Sequence, residues 1–154
     1  MGYSIIDIID KAIDISHMRK RLYLEINQQS YQSPSVKILS KVLADNVDKT
    51  LFYYEKLKKE VNGEDIERID FVIYDKISFL ISQFNLRIHT ANITSATELL
   101  SFSLNLESEI LALFLDIQGR LVKNEADTNS ATYIILSDMI KVKTSLIHDL
   151  EHHN

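Results

Sequence analysis

Residues 104–111 read LNLESEIL, and helical spacing puts the carboxylate of Glu107 on an apolar face with Leu100, Ser103, Leu104, Leu111 and Phe114. A carboxylate in that place can ligate a metal, pair with a cation or stay protonated; alone and ionised it is costly. Turning the other apolar stretches by about 100° per residue locates further polar groups near their centres. Lys143 falls amid Met139, Ile140, Leu146, Ile147 and Leu150. Ser16 and Arg19 fall among Ile9, Ala12, Tyr23 and Ile26, and Asn46 and Thr50 among Leu39, Leu43, Val47, Tyr54 and Leu57. Each lies near the middle of its stretch. Glu107, Lys143, Arg19, Ser16, Asn46 and Thr50 are therefore expected to form one polar layer at one height.

The remaining groups able to do chemistry are read as surface or packing. Asp14-x-x-His17 has the spacing of a carboxylate–histidine metal pair, but Asp14 turns outward and His17 sits at the face edge. His148 and His152, one turn apart beside Glu151, can bind a transition metal on the surface. His89 has no visible partner. Tyr23, Tyr53, Tyr54, Tyr74 and Tyr133 fall on or near apolar faces, where packing accounts for them. The chain has no Gly-rich phosphate loop, no G-x-S-x-G and no H-E-x-x-H. With zero Cys it has no disulfide, thiolate zinc site, iron–sulfur cluster or cysteine nucleophile.

The elements that must position the layer are long helices. Only 3 Gly and 1 Pro interrupt 154 residues, which favours helices over a sandwich or barrel. The first helix is expected over Ser4–Gln28. Ser33 then caps a second that has Pro34 at its first position and runs to about Val61, stopped by Asn62-Gly63. Residues 64–93 are less regular; within them IERIDFVIYDKISFLISQF (66–84) is apolar at helical spacing and should form one helix or two shorter ones across the side or ends of a bundle. Ser95-x-x-Glu98 is a capping box opening a helix to about Val122. Residues 123–130 read as a loop, and the last helix starts near Ser130.

Composition fits one domain spanning 1–154, with 45% hydrophobic and 25% charged residues. A net charge of −5 argues against a nucleic-acid partner. No apolar run has the length of a membrane span, and the N-terminus has acids within its apolar stretch, unlike a signal peptide. The expectation is a cytoplasmic protein with no membrane partner.

Residues 12–26 and 103–117 align without gaps, pairing Ile13 with Leu104, Leu22 with Leu113, Tyr23 with Phe114 and Ile26 with Ile117. The arrangement resembles the ferritin-like superfamily, and its rubrerythrin-type branch in particular. There the first and third helices carry A-[IF]-x-x-E with a Tyr seven residues on, the second and fourth carry E-x-x-H, and together they hold two irons. Here Ala12-Ile13 and Tyr23 match the first helix, with Ser16 at the glutamate place. Glu107 matches the third, with Phe114 for the tyrosine. Val47 and Thr50 take the second helix's Glu and His places, and Lys143 and Leu146 those of the fourth. The resemblance implies an all-α, antiparallel four-helix bundle with a helical crossover between helices 2 and 3. Glu107 is its only retained ligand position. The expected function is non-catalytic: a structural or interaction protein, forming a homodimer, in which an ion pair or hydrogen-bond cluster around Glu107 replaces the metal and no cofactor is needed. The alternative is an iron-binding oxidoreductase or iron-handling protein, with a site rearranged from Glu107 and Asp45, Asp48, Asp14 or His17. A small-molecule pocket between the helices is a third class.

Overall fold

A computed structural model describes residues 2–29, 33–62, 66–89 and 92–152. The chain is all-α. Helix α1 spans Ile5–Gln29, α2 Pro34–Asn62, α3 Phe71–Arg87, α4 Ala96–Arg120 and α5 Ala131–His152. Among the described residues the only extended pairing is an isolated bridge between Tyr3 and Ile69. Among the described residues no helix is long and apolar enough to cross a membrane.

Local chemistry sets the helix starts. The Ser33 hydroxyl accepts from the Val36 N–H at 3.4 Å, and proline follows at the first helical position. Ser95 accepts from the Glu98 N–H at 3.1 Å. The return arm of this cap is displaced by one residue, because Glu98 accepts from the Thr94 N–H at 3.0 Å. Among the described residues between α2 and α4, the expected one or two helices are a single one, α3, capped by the Asp70 side chain. Two expected boundaries differ. Helix α4 ends at Arg120, and the expected loop over 123–130 contains a single 3₁₀ helix, Glu125–Asn129. There the Asp127 carboxylate accepts from the N–H groups of Lys123 and Asn124, which organises the turn. The Gly63 of the expected stop after α2 lies outside the described residues.

Side-chain bridges fix the helix directions. Asn27 donates to the Lys37 carbonyl, Lys20 pairs with Asp48, and Lys58 pairs with Asp10. As α1 numbers fall α2 numbers rise, so the two helices run antiparallel. Helices α1 and α4 are antiparallel by the same logic, since Tyr23 bonds Ser103 and Arg19 bonds Glu107. Helices α4 and α5 are too, through Lys143–Glu107 and Gln118–Ser137. Helix α1 packs chiefly against α2, and α4 against α5; α3 lies on α4. The isoleucines of α1 (5, 8, 9, 13, 15 and 26), Val47 and Tyr54 of α2, Leu106, Ile110 and Ile117 of α4, and Leu136 and Met139 of α5 share one core. Helix α3 adds Ile77, Ile81 and Phe84 to it.

Candidate functional site

Three charged side chains from three helices meet inside this core. Arg19 of α1 donates from Nε to Oε1 of Glu107 at 2.6 Å. Lys143 of α5 donates from Nζ to Oε2 of the same carboxylate, also at 2.6 Å. The residues are 3%, 2% and 1% exposed for Arg19, Lys143 and Glu107, so water screens none of them. Both oxygens of Glu107 are thus taken by cations, and the triad holds two positive charges to one negative.

That imbalance decides how the groups titrate. Burial pushes the Glu107 carboxyl up, but the charges of Arg19 and then Lys143, with a hydrogen bond from each, hold it below the ordinary carboxylate value. Burial pushes the Lys143 amine down to about 8, because the like charge of Arg19 adds to desolvation and Glu107 offsets only part of both. The two directions are consistent. One carboxylate cannot neutralise two cations, guanidinium does not release its proton, and the lysine is the group that yields. Arg19 also keeps a donor, Nη1, buried without a hydrogen-bond partner.

Two tyrosines border the triad. Tyr23 shares a 2.8 Å hydrogen bond with Ser103, linking α1 to α4. Burial chiefly raises the pKa of Tyr23 and of Tyr54, whose hydroxyl also feels the charges of Arg19 and Glu107. Both are neutral phenols at physiological pH. Tyr54 follows Thr50 by one turn of α2, and only that spacing hints that it belongs to the layer. The Tyr23–Ser103 bond has no signal in sequence.

The other expected members of the layer stand apart from the triad. Ser16 is buried, but its hydroxyl donates to the Ala12 carbonyl in its own helix at 2.9 Å. Asn46 and Thr50 are half-buried on the wall of a cleft between α2 and α5. Asp14, His17, Asp45 and Asp48 are all exposed; Lys41 pairs with Asp45 and Lys20 with Asp48. His148 and His152 lie with tilted rings, their centroids 4.1 Å apart, on the exposed end of α5.

The donor set at Glu107 does not fit a pair of irons. Such a centre draws on several carboxylates and imidazoles, whereas Val47 and Leu146 are hydrocarbon and Lys143 arrives as a cation. Among the described residues, no three His, Asp or Glu side chains are grouped to hold an ion. What the arrangement can do is brace α1, α4 and α5 through one carboxylate. No protein-family model, curated protein or solved structure matches the chain.

Proposed function

We propose that α1, α2, α4 and α5 form a ferritin-like four-helix bundle with α3 as its crossover. In this reading the protein is a non-catalytic structural or interaction protein of the cytoplasm. The helix directions support the fold: α2 and α4 are both antiparallel to α1, so the chain must travel back along the bundle between them. Helix α3 does so, with Asp70 beside Lys123 at the end of α4, and Arg87 near Phe102 and Asn105 in its first half. Its 17 residues span about 26 Å.

One observation carries the functional reading: both oxygens of Glu107 are engaged by buried cations. A residue so placed is a structural anchor and not a free base or ligand. The test is metal content of untagged protein after anaerobic incubation with iron(II), manganese(II) or zinc(II), read by inductively coupled plasma mass spectrometry. Little stoichiometric metal, with loss of stability in Glu107→Gln, supports the reading. A stoichiometric pair of irons that disappears in Glu107→Ala would overturn it and revive the oxidoreductase.

The partner that best fits is a second copy. Along α3, Val72, Phe79 and Leu86 are 58%, 63% and 79% exposed and form a stripe at intervals of about two turns. Val72 and Leu86 are equidistant in sequence from Phe79. Two copies crossing antiparallel at Phe79 therefore set each Val72 against the other's Leu86. The same register sets Arg87 opposite Phe71 and near the N-cap Asp70, Asp75 opposite Gln83, and Lys76 opposite Ser82. No like charges face one another, and the helix ends attract.

A further inference from the structure

The α2–α5 cleft, of about 550 Å³, has one feature that core packing does not require: hydrogen-bonding groups left uncommitted around a buried positive charge. Among the residues lining it are Asn46, Thr50 and Tyr53 of α2 and Lys143, Leu146 and Leu150 of α5, as well as Lys49 and Asp149. Lys49 and Asp149 cancel in charge. Lys143 does not, because Arg19 already pairs with the one carboxylate behind it. Asp138 and Glu60, whose charges reach Tyr53, do not line the cleft.

The donors gather toward one end. Helices α2 and α5 are antiparallel, so Tyr53 and Tyr54 lie level with Val142 and Lys143, while Asn46 lies toward Leu150. The Tyr53 hydroxyl is buried without a hydrogen-bond partner. Thr50 and Asn46 make no side-chain hydrogen bond within the described residues, and Glu107 occupies one of the three protons of the Lys143 ammonium. Beyond Lys143, Leu146 and Leu150 continue along α5 as an apolar wall that reaches about 10 Å from Lys143.

We propose that this cleft binds a small amphipathic carboxylate. Its head accepts hydrogen bonds from Lys143, Tyr53 and Thr50, and its hydrocarbon body lies along Leu146 and Leu150. The head supplies the negative charge the triad lacks and the acceptor that the Tyr53 hydroxyl lacks. The volume is within the range of small-molecule sites, and a polar end with an apolar wall is their usual composition. The reading is independent of self-association, since the cleft and the α3 stripe share no residue.

Binding of acetate, benzoate and octanoate to the full chain, measured by isothermal titration calorimetry, tests it, with octan-1-ol as the uncharged control. Saturable one-to-one binding of octanoate is expected, at least tenfold tighter than octanol. Lys143→Met should bring octanoate down to the octanol level. Tyr53→Phe removes an oxygen that has no partner, leaves the fold intact and should weaken octanoate several-fold. Leu146→Asp should abolish octanoate binding. If none of the three carboxylates binds, the proposal is overturned; equal binding of octanoate and octanol, or octanoate binding unchanged in both Lys143→Met and Tyr53→Phe, overturns it as well.

Discussion

Arg19 and Glu107, 88 positions apart in sequence, meet at 2.6 Å between the middles of α1 and α4. Lys143 completes the contact from α5. A carboxylate with this environment is stabilising only as part of the set. Glu107→Gln leaves two buried cations facing a neutral amide, and should lower unfolding free energy by roughly 3–5 kcal/mol. Urea denaturation followed by circular dichroism measures it; an unchanged midpoint would show that the triad does not brace the core.

Removing all three charges should act in the opposite sense. Two cations and a carboxylate each lose hydration on folding, and well-packed hydrocarbon of similar volume avoids that cost. The triple change Arg19→Met, Glu107→Leu, Lys143→Met is expected to be neutral or more stable than the parent, within a few kcal/mol. A triple variant less stable than Glu107→Gln alone would mean that the triad's shape, and not its charge, holds the helices.

The same charges set two limbs of the stability–pH curve. On the acid side, the unfolded chain protonates Glu107 near its ordinary 4.5, whereas the folded chain resists until lower pH. The unfolded state thus binds more protons in that interval, and stability falls as pH drops below about 4.5. On the alkaline side, the unfolded chain keeps the Lys143 proton up to its ordinary 10.5, and the folded chain releases it near 8. There too the unfolded state binds more protons, so this group adds stability as pH rises between those values. Denaturation profiles of the wild type minus Glu107→Gln and minus Lys143→Met isolate the two limbs; a flat difference in either interval contradicts its assignment.

Self-association through α3 is open to a direct probe. Phe79→Glu sets two carboxylates against each other at the point where the copies cross, and should shift the protein to monomer in sedimentation velocity. Phe79→Cys should form a disulfide-linked dimer on mild oxidation, because only at the crossing point does a residue face its own copy. A monomeric wild type refutes the dimer itself. A dimer that survives Phe79→Glu and resists the cross-link places its interface on another face.

The helices were legible because apolar residues recur at 3.6-residue spacing in each of them, and Ser33, Pro34 and Ser95 mark two starts. The depth of Glu107 was legible for the same reason. Its contacts were not, since pairing depends on how three helices rotate against one another. Arg19 and Lys143 have stems long enough to reach a buried carboxylate, while Ser16 is short and turns to the carbonyl one turn back. Asn46 and Thr50 lie far enough from the centre of α2's face to reach the cleft. A rotation of one residue separates the two outcomes, and periodicity does not resolve it.

The start of α5 holds another contact invisible in sequence. Glu67, just before α3, accepts from the Ala131 N–H at 2.8 Å and the Thr132 hydroxyl at 3.2 Å. A carboxylate from a distant segment thus occupies the first turn of α5, where N–H groups have no helical partner and the dipole favours negative charge. Burial acts to raise its pKa, but hydrogen bonds from its own backbone N–H, from the N–H groups of Ala131 and Thr132 and from the Thr132 hydroxyl outweigh it and leave the carboxyl below its ordinary value. Glu67→Gln keeps the shape and one acceptor and removes the charge; Glu67→Ala removes both. Since the side chain is largely exposed, the expected losses are small, a few tenths of a kcal/mol for Gln and about 1 kcal/mol for Ala. Hydrogen exchange should locate the Ala loss at Ala131–Tyr133 and at residues 66–70 together. Faster exchange confined to α5 would mean that Glu67 caps the helix without tethering the segment that leads into α3.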